Sequence, residues 1–406
     1  MKQSILDIGH FERKVIYFVQ KNYQLFFFII ITILALLMRN NLRYFQSGDY
    51  VYSLKPWTDY LEAHGGFLGL KSLESNYNMP YLYILAFITY LPSSTLAKIK
   101  LVSIIFDFIT AFLVMIIVKK LIKPSKSSLI PYLAYAITLF IPTLVLNGTV
   151  WGQCDIIYTC FILLSIYFFL EKKYVGTFIA YGIALAFKLQ AIFVLPVYIF
   201  MYFKEKKFSI LNFLWIPIVD FILYIPAWIL GKPLAEIFDP YLMQIGQYKS
   251  LVLNFSNLYS LLPDNYDFFA TAGLFLSVSV LIMFYSLLLK NNTKIDEKNY
   301  ITIFLITIML CVYFLPSMHE RYMFAADVIS VIYLFLYPNR IFVPFIIWFI
   351  NFNAYLPAIY GFGPIIDFKI MSILYLGLLV FLIWDLMRNM INKPESALIR
   401  KKLSYQ

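Results

Sequence analysis

YVGTFIAYGIALAFKLQAIFVLPVYIFMYF, Tyr174 to Phe203, is apolar almost throughout, with Lys188 and Gln190 at its centre. Lys172 and Lys173 precede it, and Lys204, Lys206 and Lys207 follow. One long crossing would place these two basic clusters on opposite faces of a membrane, whereas Lys and Arg collect in cytoplasmic loops. Two short helices, Val175 to Phe187 and Ala191 to Phe203, remove the conflict and put Lys188 and Gln190 at an outer turn. Broken backbone at membrane depth is tolerated only where protein buries it or it lines a wet cavity. Lys188 is therefore expected in a cavity.

Composition sets the class. Of 406 residues, 62% are hydrophobic, 19% aromatic and 14% charged, against about 25% charged in soluble chains. The chain reads as an all-α polytopic membrane protein. Its net charge of +11 lies in short clusters between apolar runs, which is cytoplasmic-loop charge and not a nucleic-acid surface. Cys154, Cys160 and Cys311 lack metal or redox spacing, so no disulfide is expected. No acids cluster at metal-binding spacing, and neither a metal nor a cofactor is expected. The first run, Asn22 to Met38, ends in Arg39, Asn40 and Asn41 without a small-residue cleavage pattern, so it is expected to stay as an anchor.

Span length and the charge rule order the rest. With the N-terminus inside, Asn22 to Met38 leads outward and leaves Asp49, Trp57, Asp59, His64 and Tyr77 outside. Met79 to Pro92, about 14 residues, is too short to cross and reads as an interfacial helix. A full crossing there would put Lys119, Lys120, Lys123 and Lys126 outside. Ile99 to Val118 then returns inward, Ser128 to Leu146 leads out to WGQCD (Trp151 to Asp155), and Ile156 to Leu170 leads back. Ser209 to Leu230 reaches an outer loop, Gly231 to Asp267, with Asp239, Gln244, Gln247, Lys249 and Asn254. Phe268 to Leu289 returns, Tyr300 to Pro316 delivers HERYMF (His319 to Phe324) outside, and Met323 to Tyr337, Ile341 to Ala358 and Ile370 to Met387 complete about twelve crossings with both termini inside. Residues 1–406 form one membrane domain: a first outer loop at 43–98, a helical core at 99–338, and C-terminal helices with a basic tail at 339–406.

The outer side thus gathers Asp49, Gln153, Asp155, Lys188, His319 and Arg321. Arg offers a planar fork and Lys a point charge to a phosphate, and a lone acid facing them can take a proton from a hydroxyl. Each residue also has a plainer reading. Asp49 is a loop acid, Trp57 and the tyrosines suit an aromatic belt, and Glu320 and Arg321 would begin a helix, where Glu320 suits the dipole. Asp107, Asp220 and Asp327, inside apolar runs, read as interhelical hydrogen-bond partners.

Five stretches resemble, in order, motifs of one family. SGDYVYSLKPW at Ser47 to Trp57 is similar to GDFEAQRHW, NYNMPYLY at Asn76 to Tyr83 to LDYPPLTAY, and NGTVWGQCD at Asn147 to Asp155 to HGHFQYN. FKLQAIF at Phe187 to Phe193 is similar to FKQMALY, and HERYMF to HEKHIL. The chain resembles the GT-C superfamily of polyprenyl-phosphate-sugar-dependent glycosyltransferases, in particular bacterial relatives of the dolichyl-phosphate-glucose glucosyltransferases, over Gly48 to Phe324. The resemblance implies a GT-C-like bundle with interfacial helices in the first loop, and an inverting transfer of a hexose from a polyprenyl-phosphate carrier to a hydroxyl of a cell-surface glycan or lipid-linked acceptor. It assigns the base to Asp49 and the donor phosphate to Lys188, His319 and Arg321. Substrate contacts fall to Trp57, Tyr77, Trp151, Gln153, Asp155, Gln190 and Glu320. Asn147 stands where the family has a histidine, and Tyr322 replaces the second base of HEKH, so no role carries over at either position. A transporter or flippase of lipid-linked sugars would show inverted repeats across its halves, and a scaffold of a polysaccharide assembly complex is the other alternative.

Overall fold

The computed structural model describes residues 10–244, 249–290 and 295–391. The chain is an all-α polytopic membrane protein. Among the described residues, seven helices are long and apolar enough to cross a membrane, or eight if one bent pair is a single span. The first, α1 (His10–Leu42), is longer than its apolar core requires and has non-helical backbone at Asn22. Its middle packs on a later helix, with Phe28 and Tyr135 rings 4.7 Å apart.

The first loop is built, not open. A π-type turn (Tyr50–Leu54) runs into α2 (Lys55–Ala63), and a 3-10 turn (Gly66–Lys71) precedes α3 (Met79–Thr89). Gly66 has a φ of 66°, and a Cβ there would sit 2.2 Å from the Tyr90 hydroxyl, so the turn admits only glycine. The short helix expected at Met79 to Pro92 is present but shorter. It is apolar all round and buries Met79, Tyr81, Leu82, Leu85 and Ile88 against protein, as such a helix must. It packs against α2 and α4 and is short, as expected there.

Next come α4 (Thr95–Ile122), α5 (Ile130–Phe140) and α6 (Pro142–Val145). The single crossing expected at Ser128 to Leu146 is broken: α5 and the segment Pro142–Trp151 meet at 52°. Pro142 is the cause, since its ring disfavours helical backbone at Ile141, which is extended at ψ 125°. Then α7 (Asp155–Leu170) and α8 (Tyr174–Phe187) form an antiparallel pair. After α8 the chain breaks at Lys188 (φ −156°, ψ 131°), passes a 3-10 turn (Leu189–Val194) and enters α9 (Leu195–Glu205). Tyr174 and Phe208 lie 5.0 Å apart, so the two basic clusters flanking this hairpin return to one level.

The remaining elements are α10 (Trp215–Ile229), α11 (Leu234–Gln244), α12 (Tyr266–Lys290), α13 (Glu297–Phe314), α14 (Phe324–Leu336), α15 (Phe342–Tyr360) and α16 (Phe368–Ile391). Within the expected outer loop Gly231 to Asp267, α11 is a helix ending at Gln244, and Gln247 lies outside the described residues. The same loop supplies β1 (Val252–Leu253), which pairs in parallel with β2 (Met318–His319). HERYMF therefore does not open a helix. Strand and turn come first, and α14 starts at Phe324. α13 and α14 are buried nearly throughout and form the centre of the bundle.

All three in-span acids bond between elements. Arg39 Nε donates to Asp107 Oδ2 at 2.9 Å, Thr143 and Asn351 donate to Asp327 Oδ2 at 2.6 and 2.7 Å, and Tyr241 donates to Asp220 at 3.1 Å. Arg39, expected merely to follow the first span, closes a buried ion pair.

Candidate functional site

The sequence stretches chosen for their chemistry meet at one end of the bundle. Asp49 precedes the π-type turn of the first loop, and its Oδ2 accepts a hydrogen bond from Gln153 Nε2. Gln153 in turn accepts from the Tyr77 hydroxyl at 2.8 Å, and the Tyr77 ring meets Trp57 edge-on at 5.5 Å. Arg321 approaches from the turn after β2: its Nη1 is 3.6 Å from Asp49 Oδ2, its Nε is 3.2 Å from Glu320 Oε1, and its guanidinium lies over the Trp151 ring at 5.0 Å. Glu320 Oε2 is 3.6 Å from His319 Nδ1.

A second acid sits deeper. Asp155 opens α7, where the positive end of the helix favours a carboxylate. Its Oδ1 is paired with Lys188 and its Oδ2 accepts from Asn147 at 2.8 Å. Asn147 also donates to the Tyr355 hydroxyl at 3.2 Å, and the Tyr355 ring meets Trp151 at 5.3 Å. The Lys188 ammonium faces the Tyr77 ring at 5.8 Å. Gln190 follows on the same break and is buried.

The two carboxylates are therefore unlike. The Asp155 side chain is 1% exposed with both oxygens engaged, whereas that of Asp49 is 43% exposed. Of the two, Asp49 is the one exposed enough to meet an incoming hydroxyl. Arg321 differs from an ordinary structural arginine: buried Nε and Nη1 have no hydrogen-bond partner, since the nearby carboxylates approach off-axis. Gln190 Oε1 and Asn147 Oδ1 are likewise buried without a hydrogen-bond partner. Buried polar atoms without a hydrogen bond also occur away from this group, at Asp107, Asp327 and Asn351 among others, but here several of them gather beside a half-exposed carboxylate. Burial works against the charged form of Glu320, but His319 and Arg321 beside it outweigh that and hold its carboxyl below the usual range.

The site residues expected from sequence, Gln190 apart, thus join one connected group, and the break at Lys188 is what brings FKLQ to the others, with Gln190 buried on the same turn. Sequence reasoning passed over Lys100, Ser47, Ser103, Asn147 and Tyr355. Lys100 carried a usable signal, an ionisable residue inside an apolar run; Tyr355 carried none. Among the described residues, no three His, Cys, Asp or Glu side chains gather in an arrangement that could hold a metal. An apolar cavity of about 480 Å³ at the α5–α6 break, lined by Phe140, Pro142, Leu334, Phe345 and Trp348, shares no residue with this group. No protein-family model matches the chain, and comparison with curated proteins returns no significant match.

Proposed function

We propose that the chain is an inverting glycosyltransferase of the GT-C type, moving a hexose from a polyprenyl-phosphate carrier to a hydroxyl of a cell-surface glycan or lipid-linked acceptor. The observation that carries this reading is the pairing of a half-exposed carboxylate, Asp49, with a half-buried guanidinium, Arg321, whose Nε and Nη1 are buried without a hydrogen bond. The acceptor oxygen attacks the anomeric carbon from the face opposite the phosphate, and the bond from that carbon to the phosphate oxygen breaks. Asp49 takes the hydroxyl proton. The polyprenyl phosphate leaves as an anion held by Arg321, with His319 and the Lys188–Asp155 pair around it. Gln153 orients the base, and the Trp57 and Tyr77 rings offer faces for a sugar.

Orientation follows from charge. Lys119, Lys120, Lys123, Lys172, Lys173, Lys204, Lys206, Lys207, Lys290 and Lys298 lie in terminal helical turns or the short links beside them, at the helix ends opposite those that carry the site residues, where Lys120 pairs with Glu171 at 2.7 Å and Lys204 donates to the Leu288 carbonyl. The positive-inside rule makes that end cytoplasmic and the site extracytoplasmic. Counting the shorter apolar helices as crossings gives the bundle of about twelve. Purified protein incubated with a panel of polyprenyl-phosphate sugars should release free polyprenyl phosphate from one of them, with inverted configuration in the product. No release with any donor, alongside intact folding, would remove the reading.

A further inference from the structure

We infer that Lys100 is a positioning residue for the candidate base, acting through the backbone of residues 150–153. Lys100 lies on α4, is fully buried, and donates to the carbonyls of Phe45 and, at 2.9 Å, Val150. Beside it Ser47 Oγ donates to the Trp151 carbonyl at 2.5 Å and Ser103 Oγ to the Gln153 carbonyl at 2.7 Å. The carbonyls of 150, 151 and 153 are thus each held by a side chain from α4 or the first loop. Gly152, with φ at 84°, lets the chain turn between them. The segment so fixed carries Gln153, whose amide bonds Asp49.

The lysine does two things at once. It fixes the segment to α4, and its bond to Phe45 ties the start of the first loop to the same ammonium, a short distance in sequence before Asp49. A buried ammonium is costly unless its hydrogen bonds are met, and no described carboxylate pairs with Lys100. What meets its hydrogen bonds here is the pair of carbonyls it gathers. Arg321 and Lys188 keep carboxylate partners outside this segment, Glu320 and Asp155, although the Arg321 guanidinium also lies over the Trp151 ring. Loss of Lys100 therefore falls first on Asp49, whose amide partner Gln153 the segment carries, and reaches the phosphate side only through Trp151.

This inference rests on the reading of Asp49 as a base, so the test has an arm that needs no turnover. Lys100→Met, Lys100→Arg, Gln153→Ala and the double variant Lys100→Met/Gln153→Ala are compared in detergent or nanodiscs. Lys100→Met should raise amide exchange at 147–154 and lower kcat by roughly 10- to 100-fold, the range for a small misplacement of a catalytic group, with donor KM within about twofold by the same reasoning. Lys100→Arg, which can still donate to two carbonyls, should restore part of the kcat. Adding Lys100→Met to Gln153→Ala should cost little more, because both act on one contact. If Lys100→Met fails to insert, Ser103→Ala probes the same segment and should show the same kcat loss in weaker form. Faster exchange in a protein that turns over no donor upholds the tether and removes only the proposed reaction. Unchanged exchange at 147–154 overturns the tether whatever the kinetics, as does a loss that falls on donor KM with kcat intact.

Discussion

Arg39 is fully buried and Arg321 half-buried, and the two are satisfied in opposite ways. Arg39 spends all its nitrogens: Nε on Asp107, Nη1 on the Ala35 carbonyl and Nη2 on the Leu139 carbonyl. It joins α1, α4 and α5 and leaves nothing for a ligand. Arg321 has carboxylates near it but leaves Nε and Nη1 without hydrogen bonds, above an indole face. The first arrangement is a helix clamp. The second leaves two buried nitrogens without a hydrogen bond, and the proposed donor phosphate would meet them there.

The comparison breaks most severely if Arg39 proves dispensable. Arg39→Ala leaves Asp107 buried and unpaired, which costs about 3 to 5 kcal/mol, so the variant should be lost from the membrane fraction or melt far earlier than wild type. Arg321→Ala should instead insert and lose less stability than Arg39→Ala, because Glu320 keeps His319 beside it, while donor affinity drops tenfold or more, the equivalent of about 1.5 to 3 kcal/mol for a charge-assisted contact. Normal donor binding by Arg321→Ala would make it a second clamp. Lys188→Ala tests an intermediate case. Its partner Asp155 is left without its cation, so both stability and donor use should fall, whereas the doubly neutral Lys188→Met/Asp155→Asn should recover stability alone.

Glu320 gives a smaller, pH-dependent effect. Its folded carboxyl titrates lower than an unfolded one, so its contribution is present in full above the ordinary carboxylate range and is lost as pH falls through the folded value. Melting curves of wild type and Glu320→Gln should differ at neutral pH and converge in acid; a gap that widens in acid would reverse the sign. Smallest of all, Lys55→Ala removes an exposed pair with Asp59 on α2 and should leave melting and turnover unchanged.

The helical class, the hairpin break at Lys188 and the convergence of Asp49, Gln153, Asp155, Lys188 and Arg321 were legible in sequence because each rests on a strong one-dimensional signal. Those signals are apolar run length, lysine placement and polar residues stranded between runs. The break at Pro142 was legible too, through a proline inside a run, but the run was read as one span. Other features needed the third dimension. Nothing local marks α11 inside a polar loop, or the pairing of Val252–Leu253 with Met318–His319, which draws HERYMF into an extended start. Lys100 was hidden by being counted into an apolar span, although its charge is what holds the Val150 carbonyl.

If Asp49 takes the acceptor proton, the phosphate side of the site stays intact without it. The most direct measurement compares free polyprenyl phosphate release and donor binding in wild type, Asp49→Asn and Asp155→Asn. A positioned base contributes about 10²- to 10⁴-fold, so Asp49→Asn should lose release by that factor while binding donor and melting like wild type. Near-normal release by Asp49→Asn with Asp155→Asn folded and inactive would contradict the account and move the base to the deeper acid.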